Sequence, residues 1–177
     1  MRELNLTAKH MISALGRLDE ILPKPIQIII GGGGSMILAH QFPLATSDID
    51  FIPKGIELVE LDPLIKQVAK EMNLAPDWLN PWFSTFVYTL PSDYAKRLIS
   101  VFKGMRLEAL ALGATDMLIM KCFAHRQKDV GHAKALFKAG ADKKFVRDHI
   151  EKLQEKRIPQ AESALDFLDD IEDQIFL

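Results

Sequence analysis

A run of four glycines at residues 31–34 interrupts an otherwise apolar stretch of the sequence, IIIGGGGSMIL. Glycine inside a strand or helix costs about 0.5–1 kcal/mol relative to alanine, so the run indicates a place where backbone conformation or close approach outweighs regular structure. The short β-branched segment before it, Ile26–Ile30, follows two prolines and predicts a buried strand. Helix-forming residues at 35–40 follow the glycines. We therefore expect the run to form a strand-to-helix turn.

Two aspartates, Asp48 and Asp50, follow in the segment TSDIDF. Residues 48–52 alternate charged and apolar side chains, which predicts a second strand with both carboxylates on one face. Mg²⁺ prefers such oxygen ligands and usually shares them with substrate phosphates. Backbone N–H groups in a glycine turn before a helix attract phosphate oxygens. The two features together predict a site for a nucleoside triphosphate and its cation, suited to in-line displacement at phosphorus.

Each feature also has a plainer explanation. A glycine-rich turn can serve the fold alone, and an Asp-x-Asp at a strand end can be solvated or capping. Other phosphate motifs fit less well, because a Walker A loop needs a Gly-Lys-Ser/Thr ending and the glycines here lead into Ser35 and Met36. A dinucleotide-binding fingerprint is present only in part and does not account for the aspartates.

Length and composition place the chain among ordinary globular proteins. Its 177 residues are 48% hydrophobic with a net charge of −2, enough for one domain with a core and a helical appendage. The single cysteine, Cys122, excludes an intramolecular disulfide and multi-cysteine zinc sites. No apolar run approaches the length of a membrane span, and no apolar stretch typical of a signal peptide is seen. We expect a cytoplasmic protein without a membrane partner.

The order of predicted elements indicates an α+β (mixed α/β) fold, a mixed β-sheet flanked by helices and followed by a C-terminal helical bundle. The corresponding domain prediction is an α/β core over residues 1–113 and a helical region packed on it over 114–177. Strands are expected at Ile26–Ile30, 48–52, 83–90, 98–102 and 105–112. Helices are expected at 6–22, 35–40, Leu58–Met72, 116–125 with Thr115 as its cap, 128–139, 145–155 and 159–175.

The glycine and aspartate segments together resemble the Gly-Gly/Ser and Asp-x-Asp signature of the DNA polymerase beta-like nucleotidyltransferase superfamily. More narrowly, the chain resembles the AbiEii-like branch, bacterial proteins that include toxins of toxin–antitoxin systems. Residues 46–50, TSDID, match the Thr-x-Asp-Ile-Asp strand end of that branch. The downstream segment MLIMKCFAHRQKDV matches its lysine, arginine and Lys-Asp pair with Lys121, Arg126, Lys128 and Asp129. The resemblance covers residues 26–140.

The resemblance implies a nucleotidyltransferase-like fold and a site with defined roles. Asp48 and Asp50 would be catalytic and would bind Mg²⁺ or Mn²⁺, and Lys121 and Asp129 would complete the catalytic set. The residues that would bind the nucleotide are Gly32, Gly33, Gly34, Ser35, Thr46, Arg126 and Lys128. The implied partners are a nucleoside triphosphate, an acceptor RNA or protein, and an antitoxin protein.

Glu108 is the best candidate for a third catalytic carboxylate, as metal ligand or base. It is acidic within an otherwise apolar segment, MRLEALAL. The alternative is a solvent-facing residue in an alternating edge strand, and the sequence leaves both open. Lys121 poses a similar choice, because its helix is otherwise apolar and its ammonium must either reach solvent or meet an anion.

The expected function is transfer of a nucleoside monophosphate to RNA or protein, in the manner of a toxin of a toxin–antitoxin pair. Two positions depart from the AbiEii-like pattern, with Leu44 in place of an arginine and His132 in place of an aspartate. They favour an alternative, a catalytically degenerate protein of the same fold that binds a nucleotide or a partner. A purely structural or interaction protein is the third option.

Overall fold

The computed structural model describes residues 5–176 and confirms the mixed α/β class. Within these residues the chain forms seven α-helices and one five-stranded mixed sheet. The helices are α1 (Ala8–Ile21), α2 (Gly32–Leu38), α3 (Leu58–Met72), α4 (Ala114–Ala124), α5 (Asp129–Lys138), α6 (Lys143–Glu155) and α7 (Ala161–Phe176). The strands are β1 (Ile26–Ile30), β2 (Ile49–Lys54), β3 (Leu79–Asn80), β4 (Ile99–Lys103) and β5 (Leu107–Ala111).

The described part of the chain divides into two compact units. The first contains the residues up to Thr85 together with Leu98–Leu112, and the second contains Phe86–Arg97 and the residues from Gly113 onward. The predicted domain boundary between residues 113 and 114 stays a prediction, and residues 1–4 and 177 of the predicted segments lie outside the described residues.

The sheet of the first unit has the strand order β3-β2-β1-β5-β4. The central strand β1 pairs antiparallel with β2 and parallel with β5, while β3 pairs parallel with β2 and β4 antiparallel with β5. The register sets Gln27 opposite both Lys54 and Glu108, and Ile30 opposite Phe51. Because opposite residues share a face, these pairings define which side chains lie together.

One face of this sheet carries the core of the first unit. Ile28, Ile30 and Phe51 are fully buried there, as alternation along β1 and β2 requires. Helix α1 contacts α3 and β5, and both helices bury an apolar stripe. Trp78 is also fully buried, and its indole N–H donates to the carbonyl of Ile65 at 3.0 Å.

The glycine run differs from its prediction. Helix α2 begins at Gly32, not at residue 35, so three of the four glycines form its first turn and Gly31 is its N-cap. The prediction followed the intrinsic preference of glycine against helices, which tertiary contacts override here. The cap predicted at Thr115 is also wrong, because α4 begins at Ala114 with Gly113 as its N-cap. The Thr115 hydroxyl instead accepts the backbone N–H of Asp142 at 3.0 Å.

The strand predicted at 83–90 is a 3-10 helix, Pro81–Thr89. Buried and exposed positions do not alternate along the predicted strand, since Thr89 and Leu90 are both buried whereas Phe86 and Tyr88 are exposed. A short apolar run does not distinguish a strand from a helical segment by periodicity alone. The two-residue strand β3, just before this helix, has no counterpart among the predictions.

The helices of the second unit pack around α4, which contacts α5, α6 and α7. The Arg97 guanidinium donates to the buried Asp116 carboxylate through Nε and Nη2, at 2.8 and 2.9 Å. It also lies over the Phe145 ring, 5.1 Å from its centre. A helix with the length and apolar character of a membrane span does not occur between residues 5 and 176.

Candidate functional site

The Asp50 carboxylate lies directly against the first turn of α2. The Gly31 N–H donates to the Asp50 carbonyl at 3.0 Å, which joins the end of β1 to the start of β2. Gly32 has a φ of +54°, and a Cβ atom at that residue would lie 2.1 Å from Asp50 Oδ2. No side chain larger than glycine fits at such a distance. Glycine at position 32 therefore permits both the left-handed backbone and the close approach of the Asp50 carboxylate.

Side chains of this protein also lie close to the other three glycines, Gly31, Gly33 and Gly34. The Phe83 ring lies 2.8 Å from the Cβ position of Gly31, Thr46 Oγ1 lies 3.1 Å from that of Gly33, and Ile30 and Ile49 lie 3.1 Å from that of Gly34. The close approach that the glycine run indicates is thus made by protein atoms at each of these positions.

The Asp48 carboxylate is held by Asn80, a residue outside the predicted site. Asn80 Nδ2 donates to Asp48 Oδ2 at 3.1 Å, and Asn80 is only 8% exposed. Strand β3 places Asn80 opposite Asp50 in the register with β2. The only sequence signal was an amide between a buried Trp-Leu pair and a proline, in the segment WLNP. The polar group at this sheet end therefore comprises two carboxylates and one amide.

The pair Asp48 and Asp50 supplies the carboxylate ligands that a hard divalent cation prefers. Both residues are half-buried; Asp48 directly precedes β2, and Asp50 is the second residue of that strand. No group of three His, Cys, Asp or Glu side chains in residues 5–176 is arranged to hold a metal ion. Mg²⁺ commonly uses one or two carboxylates and takes its other ligands from water and substrate phosphates. Two carboxylates therefore suffice for a cation that arrives with a triphosphate.

Two residues of the predicted nucleotide-binding set have structural contacts in the first unit. The Ser35 hydroxyl is fully buried and donates to the carbonyl of Leu112 at 3.1 Å. Thr46 packs on Gly33 and exchanges backbone hydrogen bonds with Leu6, at 2.7 and 3.3 Å. These contacts hold α2 and the segment before β2 in place, and the nucleotide-binding roles stay predictions.

Glu108 is not brought together with the aspartate pair. It lies opposite Gln27 on β1, whose Nε2 donates to Glu108 Oε2 at 2.7 Å. Gln27 in turn lies opposite Lys54, and Asp50 is four residues from Lys54 along β2. Four residues of extended chain span about 13 Å, so Glu108 and Asp50 occupy opposite ends of one sheet face. The predicted role as third carboxylate is therefore not supported by proximity.

The remaining predicted site residues form a charged cluster in the second unit. The fully buried Asp129 carboxylate accepts Lys121 Nζ at 3.0 Å and Arg126 Nε at 2.8 Å. His132 Nδ1, at the position where the AbiEii-like pattern has an aspartate, lies 3.5 Å from Asp129 Oδ1. Lys128 is exposed at the N-cap of α5. One carboxylate thus serves three basic side chains.

The electrostatics of this cluster follow from its burial. Burial alone would raise the pKa of the Asp129 carboxyl, but His132, Arg126 and Lys121 together hold that pKa well below its ordinary value. Burial lowers the pKa of the Lys121 ammonium below its ordinary value, and the Asp129 charge opposes this shift. Of the two alternatives for Lys121, its ammonium meets an anion, the Asp129 carboxylate.

A comparison with family models matches most of the chain, while no curated protein and no solved structure matches it. The matching family is described as "Nucleotidyltransferase of unknown function (DUF6036)", and the match covers residues 9–155. This range includes the glycine run, the aspartate pair with Asn80, and the Asp129 cluster. The chain therefore belongs to DUF6036, a family of nucleotidyltransferases whose function is unknown.

Proposed function

We propose that this protein is a metal-dependent nucleotidyltransferase that transfers a nucleoside monophosphate from a nucleoside triphosphate to a hydroxyl group of an RNA or protein acceptor. The observation that carries the proposal is the packing of the Asp50 carboxylate on Gly32, which makes the acidic strand end and the glycine-rich helix start one continuous feature. Membership of a nucleotidyltransferase family supports it.

The side chains at this sheet end have separate roles in the proposed reaction. Asp48 and Asp50 would hold Mg²⁺ or Mn²⁺, which when bound supplies charge neutralisation at the phosphates. The acceptor oxygen forms a bond to the α-phosphorus as the bond from that phosphorus to the pyrophosphate oxygen breaks. The hydroxyl proton leaves to solvent or to a carboxylate of the pair. Asn80 keeps Asp48 in position through its hydrogen bond, and Gly32 leaves the space that the Asp50 carboxylate occupies.

The narrower assignment to the AbiEii-like branch, and with it the role of a toxin paired with an antitoxin, rests on the motif match. The cytoplasmic location stays a prediction. Lys121 and Asp129 are proposed as catalytic residues, and Arg126 and Lys128 as nucleotide-binding residues, on that resemblance alone. Leu44 and His132 remain departures from the pattern.

A second candidate function, nucleotide binding without catalysis, is favoured by the composition of the sheet. On the face that Asp50 and Glu108 share, β5 next presents Leu110, opposite Ile29, in the direction of the aspartates. Among residues 5–176 no third acidic residue joins the aspartates in a metal-binding group. A protein that retains two metal ligands but lacks a further carboxylate can still bind a nucleotide with its cation.

The substitution Asp50→Asn removes the charge of one of the two proposed metal ligands. It is expected to lower nucleotide transfer by about a thousandfold, which corresponds to a loss of about 4 kcal/mol of transition-state stabilisation. The assay incubates the protein with each α-labelled nucleoside triphosphate, Mg²⁺, and total cell RNA or cell protein, and measures label in the acceptor. Asp62→Asn is the matched control, since Asp62 is an exposed aspartate paired with Lys66. Its activity is expected to equal that of the wild type.

The labelling assay and a measurement of the unfolding temperature together separate the two candidate functions. Wild-type protein whose unfolding temperature rises with a nucleoside triphosphate and Mg²⁺, but which labels no acceptor, supports binding without catalysis. Absence of both the temperature shift and the labelling contradicts both candidates.

The substitution Asn80→Ala is expected to raise the Mg²⁺ concentration for half-maximal transfer by about tenfold, as is typical when a residue that orients a metal ligand is removed. Transfer at saturating Mg²⁺ should fall much less, because Asp48 itself is retained. The measurement is a Mg²⁺ titration of the transfer rate. An unchanged titration midpoint in a folded variant would exclude a positioning role for Asn80.

A further inference from the structure

An apolar pocket of about 260 Å³ opens on the second unit, where the end of α5, the start of α6 and the end of α7 meet. Its lining consists of Lys134, Phe137, Lys138, Ala141, Lys143 and Ile175. The apolar members are Phe137, Ala141 and Ile175, and every polar side chain on the lining is a lysine. Neither the proposed reaction nor the Asp129 cluster uses these residues.

The rim of this pocket has a single sign of charge. Lys134 and Lys138 are four residues apart on α5 and therefore lie side by side on one helix face. Lys143 Nζ lies over the Phe137 ring, 5.7 Å from its centre. In the described part of the chain no carboxylate forms an ion pair with Lys134 or Lys138. The nearby Asp142 carboxylate caps α6 by accepting the Phe145 N–H at 2.9 Å.

We propose that this lysine-rimmed pocket binds an acidic segment of a partner protein that inserts one large apolar side chain. A volume of about 260 Å³ is smaller than a drug-sized ligand site but accommodates a single large side chain. The Lys134 and Lys138 ammonium groups beside it attract carboxylates at two separate points. A peptide segment supplies one apolar anchor and several flanking carboxylates, which is the complement of this surface. The proposal does not depend on the proposed function.

One feature favours an acidic peptide over a nucleic acid at this pocket. Lys143 Nζ lies over the ring of Phe137, the aromatic side chain on which a base would stack, 5.7 Å from its centre. That face of the ring is therefore already covered by a side chain of the protein itself.

The direct test is fluorescence anisotropy of the full chain with the labelled peptide Glu-Glu-Trp-Glu-Glu. The comparison peptide Glu-Glu-Gly-Glu-Glu has the same charge. Its affinity is expected to be lower by a factor of about ten or more, because burial of the large side chain contributes at least that factor. A labelled single-stranded oligouridine is the third probe. Equal binding of the two peptides, tighter binding of the oligouridine, or no binding of the tryptophan peptide overturns the proposal.

Charge-reversal variants test whether the peptide binds at this pocket. The double variant Lys134→Glu/Lys138→Glu is expected to weaken binding of the tryptophan peptide by about tenfold or more, as two attractions become repulsions. The matched control, Lys152→Glu/Lys156→Glu, makes the same change of charge at two exposed lysines outside the pocket and should retain wild-type affinity. An equal loss in both variants would mean that net charge alone governs binding, which contradicts the proposed site. A shift of the Ile175 methyl resonances on addition of the peptide is expected in the wild type and not in the pocket variant.

Discussion

Substitution of Gly32 by alanine is expected to destabilise the protein by about 3 kcal/mol and to abolish its nucleotide-dependent thermal shift. A left-handed backbone costs a non-glycine residue about 1–2 kcal/mol, and Gly32 has a φ of +54°. The added Cβ atom would also lie 2.1 Å from Asp50 Oδ2, so the carboxylate must move. The change therefore affects both the fold and the cation site. Urea unfolding and a thermal shift with a nucleoside triphosphate and Mg²⁺ measure the two effects.

Gly55→Ala is the matched control for this experiment. Gly55 also has a positive φ, +86°, but the nearest atom to its Cβ position is the Pro25 carbonyl oxygen at 3.9 Å, an ordinary contact. It should lose only the backbone cost of about 1–2 kcal/mol and keep nucleotide binding. If both variants lose the same stability and both still respond to nucleotide, the close contact between Gly32 and Asp50 does not position the carboxylate.

The elements that the sequence predicted well are those with strong local signals. Ile26–Ile30 is a β-branched run between prolines and glycines, and it forms β1 as predicted. Leu58–Met72 has helical apolar spacing, and it forms α3 with both predicted ends. Asn73, in the left-handed conformation, ends that helix. In these segments local preference and tertiary packing agree.

The parts that the sequence did not reveal depend on long-range pairing. Glu108 faces Gln27 because β5 pairs with β1 in a particular register. That register joins residues 81 positions apart, and no local pattern encodes it. Asn80 acquires its role because a two-residue strand adds to the edge of β2. Such a strand is too short to leave a periodic signal.

The candidate site was predicted only in part from the local sequence. Local pattern was enough to associate the glycine run with the two aspartates, and Asp50 does lie against Gly32. It could not show that the room left by the glycines is taken by side chains such as Thr46 and Phe83. These contacts form only when the segments before and after β2 fold against the glycine run.

The Asp129 cluster raises the question of whether its residues serve stability or chemistry. Asp129→Asn is expected to destabilise the protein by about 3–5 kcal/mol, because removal of one partner leaves a buried charge without compensation. The buried charge is that of Lys121, whose ammonium lies 3.0 Å from Asp129 Oδ1. The control is Asp148→Asn, since Asp148 forms an exposed pair with Lys144 and such pairs contribute about 1 kcal/mol or less. Urea unfolding at neutral pH measures both variants.

The dependence of stability on pH and a double variant provide two further tests of the role of Asp129. The pKa of Asp129 lies below its ordinary value of 3.8, so its stabilising contribution is present above that pH and is lost as the pH falls below it. The stability difference between wild type and Asp129→Asn should therefore narrow in acid. The double variant Lys121→Met/Asp129→Leu removes the buried ammonium together with the carboxylate and should recover part of the lost stability. The recovery is incomplete because Arg126 and His132 still lose their contacts with Asp129. If the folded double variant still transfers nucleotides, Lys121 and Asp129 are structural residues. If it is folded but no longer transfers nucleotides, the two residues take part in the reaction, as the motif resemblance implies.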